Sequence, residues 1–365
     1  MSTHDEGQIV ITGLTAISSV GLNLEQTCAS IRAGISRFSE HPYYACLTED
    51  PEWDEEEPLI ASAVSGIDPF LDGPERLYEL TIPALRDLMR GAGIMRRDLA
   101  SGGFFMALPQ LDRVVEGWRL QEEFLPELFH RTGIEGFKMT KIDQSGHAGG
   151  YVLMREAVAL LVSSQISFCI VGGVDSYLTE ERLKFMDESR RIKSSRNVDG
   201  FVPGEAASMV LLETATHAKQ RGVSIRATIL KVSLGEEAVT IRSDKSSSGA
   251  GLASALRELH PSGSEDKMRW MLCDLNGESY RSGEWGIVRV RLADRLGELK
   301  TLQHPADCLG DVGAATGGML LAYASHAFHR GYSIAETVTA WTSSDDGLRG
   351  AIRIGQPELR QGSAV

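Results

Sequence analysis

Apolar and polar positions follow two rhythms along this chain. The β-branched run QIVITGLTAI, Gln8 to Ile17, predicts a buried strand. In the next segment Leu24, Cys28 and Ile31 recur at helical spacing, and Asn23 stands where a helix cap is needed. Leu77, Leu80, Ala84, Leu85 and Leu88 share one face of a second helix over Arg76 to Ala92. GGFFMAL predicts a strand and Leu120 to Phe129 a helix. Tyr151 to Val162 is apolar on nearly every side, which predicts a helix buried all round. ISFCIVGGVDS follows as a central strand, and GEAASMVLLETATHAKQRG as a strand flowing into a helix. Beyond it, IRATILKVSLG and RWMLCDLNGE predict strands on either side of the helix GAGLASALREL. A glycine-rich turn, LGDVGAATGG, feeds another buried helix, and TVTAWTSS and GAIRIG close the pattern as strands.

Strands alternate with helices, and two glycine-flanked apolar helices fall in different halves. That order predicts a layered α/β architecture with helices covering and separating sheets. No low-complexity linker divides the 365 residues, so one compact unit of two related halves is expected.

Charge narrows the function classes. The formal net charge is −13, which opposes general binding to nucleic-acid backbones or anionic membranes. The acidic run Thr48 to Pro58 reads as a solvated loop, with docking of a basic partner as the other reading. The first residues lack the pattern of a signal peptide. The longest apolar stretch, Ala157 to Val174, is broken by Ser163, Ser164 and Gln165, so no membrane span is expected. Five scattered cysteines form no CxxC pair or metal spacing, which fits a reducing, cytoplasmic setting. His304, His326 and His329 lack a third ligand, so neither metal nor cofactor is expected.

Three blocks carry a resemblance: IVITGLTAISSVGLNLEQTCASIRAGIS, IVGGVDS, and VDGFVPGEAASMVLLETATHAKQRG. Together they resemble the β-ketoacyl synthases of the thiolase-like superfamily. The resemblance implies a five-layered α-β-α-β-α fold built from two pseudo-symmetric halves. Residues 1–215 would form the first half, with insertions at about 36–75 and 108–140, and 216–365 the second. It also implies a homodimer, or a heterodimer with an active ketoacyl synthase, and a possible acyl carrier protein partner. In active members a cysteine takes an acyl group, and two histidines assist decarboxylation and stabilise the oxyanion.

Each catalytic position departs from that pattern. Counting back from Gly172, the nucleophile falls at His147, in GHAGG. A gap would move the match to Asp143, and neither reading supplies a thiol. Helix-terminal dipole and burial both disfavour an imidazolium, so His147 is expected to be neutral. The family's HGT-T turn matches CDLNGESYR, which puts Asn276 at the first histidine and Glu278 two residues on. The second histidine falls at Gly310, next to Asp311, and the family's lysine falls at Pro305. Asp346 stands about where an aromatic gate is expected. Losing all of these together argues for a catalytically degenerate protein, a scaffold or a chain-length-factor-like partner subunit. The alternative is a repurposed acyl-thioester or ester hydrolase, with His147, Asn276, Glu278, Asp311 and Asp346 as a candidate altered site.

Other features keep two readings each. Arg190, Arg191, Lys193 and Arg196 form either a solvated loop or a docking patch for an acidic carrier. Glu278, Arg281 and Glu284 predict salt bridges along a helix. Cys308 precedes the Gly310 turn and reads as a buried structural thiol.

Overall fold

The computed structural model describes residues 7–48, 57–112, 114–243, 245–261, 268–296 and 299–357. Most of the acidic run (49–56) lies outside the described residues. In chain order the first part contains β1 (Ile9–Ser18), α1 (Leu24–Ala33), β2 (Ser39–Cys46), β3 (Glu57–Ala61), α2 (Gly73–Ala92), β4 (Gly102–Ala107), α3 (Leu120–Thr132), β5 (Met139–Asp143), α4 (Gly149–Val162), β6 (Phe168–Ser176), α5 (Glu180–Glu188), β7 (Glu205–Thr214) and α6 (Ala215–Arg221). The second part contains β8 (Ala227–Glu236), α7 (Ala250–Leu259), β9 (Trp270–Cys273), α8 (Ser279–Arg291), α9 (Ala293–Leu296), β10 (Thr301–Gln303), α10 (Ala306–Leu309), α11 (Thr316–Arg330), β11 (Thr337–Ser343) and β12 (Leu348–Gly355). Asn23 caps α1 as expected, its side chain accepting from Gln26 N at 2.9 Å.

Ten strands are hydrogen-bonded in the order β10-β9-β11-β12-β8-β1-β7-β6-β4-β5. The line splits into two groups of the same design. In β1-β7-β6-β4-β5, the last three strands are parallel and the others antiparallel. In β8-β12-β11-β9-β10 the same order and senses recur. The groups meet where β1 pairs with β8 through Ile9–Ile229, Val10–Thr228 and Ile11–Ala227. β2 and β3 form a separate hairpin.

Strand alternation sorts the core into layers. On β4, Phe105 and Ala107 point to one side and Phe104 and Met106 to the other. The first pair packs with Tyr151, Met154 and Ala157 of α4, in a cluster that also takes in Leu321 and Ala324 of α11 and Leu272 and Ile352 of the second strand group. The second pair packs under Leu80 and Leu85 of α2 and Phe124 of α3. On the far side, Leu256 of α7 and Trp285 of α8 cover Met271 and Trp341. The layers therefore run helix, sheet, helix, sheet, helix, with α4 and α11 in the middle.

α11 is the helix buried all round, every residue from Thr316 to Phe328 being buried. α4, expected to be so, keeps an outer face on which Arg155 and Ala159 are exposed and Val162 is 58% exposed. The reason is position: α4 packs on β5, the last strand of the sheet, and nothing described covers that margin. Among the described residues no helix is long and apolar enough to cross a membrane.

Candidate functional site

Two glycine turns meet at the middle of the molecule. One, Gly146–Ala148, leads into α4 and carries His147; the other, Gly313–Ala315, leads into α11 just after Asp311. The strand-end motif IVGGVDS holds the second turn. Asp175 accepts from Ala314 N at 2.9 Å and from buried Arg182 at 2.5 Å. Glu205, of the block beginning VDGFV, is also buried and accepts from Arg76 (2.6 Å), Ser176 Oγ and Val64 N.

His147 Nε2 lies 2.7 Å from Asp311 Oδ1, and both side chains are almost wholly buried. Asp311 Oδ1 also accepts from Gly313 N at 2.8 Å, and Oδ2 from Asn276 Nδ2 at 2.6 Å. Asn276 Nδ2 gives its other hydrogen to Glu278 Oε2 at 2.9 Å, and Asn276 Oδ1 accepts from Glu278 N at 3.1 Å. Glu278 forms a two-pronged pair with Arg191 at 2.7 and 2.9 Å. Arg191 reaches on to Asp345 at 2.5 Å, and Arg281 joins Asp345, Glu278 and Asp274 at 3.2, 3.3 and 2.8 Å.

Three potential cations, His147, Arg191 and Arg281, thus face four carboxylates, Asp274, Glu278, Asp311 and Asp345. The expectation of a neutral His147 is corrected here. Burial does oppose its charge, but the Asp311 carboxylate overrides burial and raises the imidazole above its ordinary value. Burial likewise opposes the charge of Asp311, yet His147 and Arg281 hold that carboxyl well below the usual range. Burial opposes ionisation of Asp345 too, and Arg191 and Arg281 again prevail.

Four of the five residues of the candidate altered site come together: His147, Asn276, Glu278 and Asp311. Asp346 does not. Its side chain is exposed, and its neighbour Asp345 turns inward instead. Asp274, Arg281 and Asp345 were not anticipated at the site. The signal for Asp274 was its place two residues before Asn276, on the strand end that presents that turn. Of the basic loop, Arg190 and Lys193 are exposed, Arg191 belongs to the buried network, and Arg196 lies 3.6 Å from Asp187. Arg281 pairs with Glu278 as expected, whereas Glu284 pairs with Arg349 at 3.0 Å.

Gly310 has a backbone reason to be glycine. Its φ of 68° and ψ of −172° lie in a region essentially reserved for glycine. A Cβ there would come within 2.6 Å of Val202 O. That close approach is fixed by Asp311 N to Val202 O at 2.8 Å and Gly204 N to Asp311 O at 2.9 Å. A histidine at this position would need a different local backbone.

A cavity of about 20 Å³, room for about one water, lies beside Asp274, Asn276, Gly310 and Asp311. Its other walls include Cys273, Leu309 and Met319. Burial pushes the Cys273 thiol well above its ordinary value, so it presents no ready thiolate. Cys308 is buried as expected, outside this cavity's lining. Among the described residues no cluster of ligating side chains could hold a metal.

A layered two-group sheet enclosing two glycine-capped helices, with the site where those helices begin, defines the ketosynthase (thiolase-like) class of fold. Comparison with solved structures gives that fold over nearly the whole chain. The chain is similar to the ishigamide ketosynthase/chain length factor (TM-score 0.74, 15% identity, 96% of this chain and 99% of that one). A type II polyketide-synthase ketosynthase, bound to a hexaketide and in complex with its acyl-carrier protein, gives TM-score 0.77 at 12% identity over 97% and 100%. The module 6 ketosynthase of the bacillaene synthase from Bacillus subtilis 168 gives 0.74 at 15% over 96% and 72%. In sequence, the β-ketoacyl synthase N-terminal domain matches residues 130–218. A highly reducing polyketide synthase from Cordyceps militaris is 30% identical over 103 residues, 26% of this chain. The chain spans 4% of that relative's length. The solved structures show the ketosynthase (thiolase-like) fold over nearly the whole chain, and the sequence is similar to the β-ketoacyl synthase N-terminal domain over residues 130–218.

Proposed function

We propose that this chain is a non-condensing ketosynthase-like protein, a scaffold or an inactive partner subunit of the chain-length-factor kind. The observation that carries the reading is the occupied site. His147 stands where the resemblance expects the cysteine, and an ion-pair network fills the space around it. The groups nearest the old chemistry are engaged with one another. His147 and Asp311 hold each other. Both amide hydrogens of Asn276 are donated to carboxylates, so none is aimed at an oxyanion. The cavity beside Asn276 and Asp311, about 20 Å³, has room for about one water and not for an acyl chain.

A partner has a place to dock. β5 ends the sheet, and its outer edge meets no strand among the described residues, so it can be extended by another chain. Lys193 lies exposed at the surface, where an acidic carrier protein could reach it, whereas Arg191 and Arg196 pair with carboxylates of this chain. The test is a condensation assay with acyl and malonyl carrier thioesters. The chain alone should give no ketoacyl product, and should alter product length or yield only beside a catalytically complete ketosynthase. Product formed by the chain alone would end the proposal.

The 2.7 Å His147–Asp311 contact favours a second reading, a repurposed thioester or ester hydrolase. It requires that His147→Ala abolish a measurable hydrolysis.

A further inference from the structure

A second cavity, of about 90 Å³, opens where the end of α11 meets the middle of β1, at the opposite end of α11 from His147. It holds roughly three waters' liquid volume. Three polar groups on its walls have no hydrogen-bond partner among the described residues. Ser325 is fully buried, and its Oγ is unsatisfied. His329 stands at the rim, exposed. Arg226, half-buried, is positioned by its backbone, whose N–H donates to Ile11 O at 2.7 Å. That contact sits at the irregularity where β1 shifts register between Ile11 and Gly13. Bulges of this kind occur beside sites because they re-aim side chains.

The other charges nearby are already balanced. Glu25 accepts from Arg330 at 2.7 Å and from His326 Nε2 at 2.7 Å. The second ring nitrogen of His326 meets Tyr332 Oη at 2.8 Å. Thr12 gives its hydroxyl hydrogen to Glu213. Among the described residues Arg226 is left without an ion-pair partner, with the Ser325 hydroxyl as an unused buried donor. An unsatisfied buried hydroxyl is costly, and an acceptor in the cavity would recover that cost. Glu25, His326 and Thr12 also line the cavity, engaged as just described, and the remaining side chains of the wall are apolar, Leu14, Leu24 and Leu88 among them.

We infer that this cavity binds a short-chain carboxylate, its carboxylate held by Arg226 and Ser325 and its alkyl end against the leucines. The fit is to one negative charge, because one cation on the wall lacks an ion-pair partner among the described residues, and to a few carbon atoms, because of the volume. An anion there would also raise the His329 imidazole, which burial and the cations Arg226 and Arg330 now hold low.

The probe is butyrate, titrated calorimetrically into the full chain at constant ionic strength, with butyramide and inorganic phosphate as parallel arms. Butyrate should bind saturably and butyramide should not. Arg226→Met should weaken butyrate binding by about tenfold or more, the effect of losing a charge-assisted contact. Ser325→Ala should weaken it by a smaller factor. Arg226→Met should fold normally, because its guanidinium makes no hydrogen bond or ion pair among the described residues; an unchanged melting temperature checks this. The His329 ring resonances should titrate at higher pH when butyrate is bound. No binding by the native chain, equal binding of butyramide, or unchanged affinity in Arg226→Met would overturn the assignment. Tighter binding of phosphate than of butyrate would overturn the carboxylate part of it.

Discussion

Asp311→Asn tests the buried network at its most connected point. The native carboxylate accepts from His147, Asn276 and Gly313 at 2.6–2.8 Å with almost no exposure. The amide keeps the shape but has one accepting oxygen, and its NH₂ must face a donor. Breaking one side of a buried, hydrogen-bonded ion pair costs roughly 3–5 kcal/mol. At about 2.1 cal/mol/K per residue, unfolding 365 residues carries an entropy of about 0.77 kcal/mol/K, so the melting temperature should fall by roughly 4–6 °C. The pH profile supplies the sharper sign. In the native chain the folded His147 pKa is raised. Its contribution is fully present below the unfolded value of about 6.5, and is lost as pH rises through the folded pKa. Asp311, held low, contributes above about 3.9, and that part is lost only as pH falls through its folded pKa. In Asp311→Asn, burial and Arg281 are left to dominate His147, so its folded pKa drops. The variant should then lose stability as pH falls below about 6.5, the reverse of the native trend. Differential scanning calorimetry from about pH 5 to 8, the window in which histidine titrates, reads both effects. A melting temperature indistinguishable from native at all pH values, or an unchanged pH slope, would refute the reasoning.

Gly310→Ala should destabilise by at least about 1–3 kcal/mol, measured by denaturant unfolding, because its φ and the Val202 carbonyl both reject a side chain. For the same reason the combined variant His147→Cys, Asn276→His, Gly310→His, which restores the family's catalytic residue types, should yield no condensing activity in a carrier-thioester assay. Tyr151→Phe should be neutral or stabilising by up to about 1 kcal/mol in the same unfolding assay, since the buried Tyr151 hydroxyl has no hydrogen-bond partner among the described residues. Arg191→Leu should cost roughly 3–5 kcal/mol, because it removes the shorter ion pairs of Glu278 and Asp345 and leaves both carboxylates to Arg281 alone; a drop below about 1 kcal/mol would mean Arg281 and water replace it freely.

Much of the fold was legible because strand and helix periods are local properties. The alternation Phe104, Phe105, Met106 and the cap at Asn23 depend on near neighbours only. The exposed face of α4 was not legible, since Val162 and Ala159 are apolar and their exposure depends on the sheet ending at β5. At the site, the approach of His147, Asn276, Glu278 and Asp311 followed from the resemblance. The charge of His147 did not, because it is decided by a carboxylate 164 residues away. The choice of Asp345 over Asp346 also escaped. The two are the central residues of the tight turn Ser344–Gly347, whose Gly347 N–H bonds Ser344 O, and which of them turns inward is set by the turn's packing and not by the sequence pattern. Arg191 read as a surface cation because its two carboxylate partners lie 87 and 154 residues away in sequence.

The central claim, that this site takes up no acyl group, is tested most directly by intact-protein mass spectrometry after incubation with an acyl-carrier thioester. The account predicts the unmodified mass throughout, with an active ketosynthase in the same mixture gaining one acyl group. A stoichiometric acyl adduct on this chain, lost in His147→Ala, would contradict it.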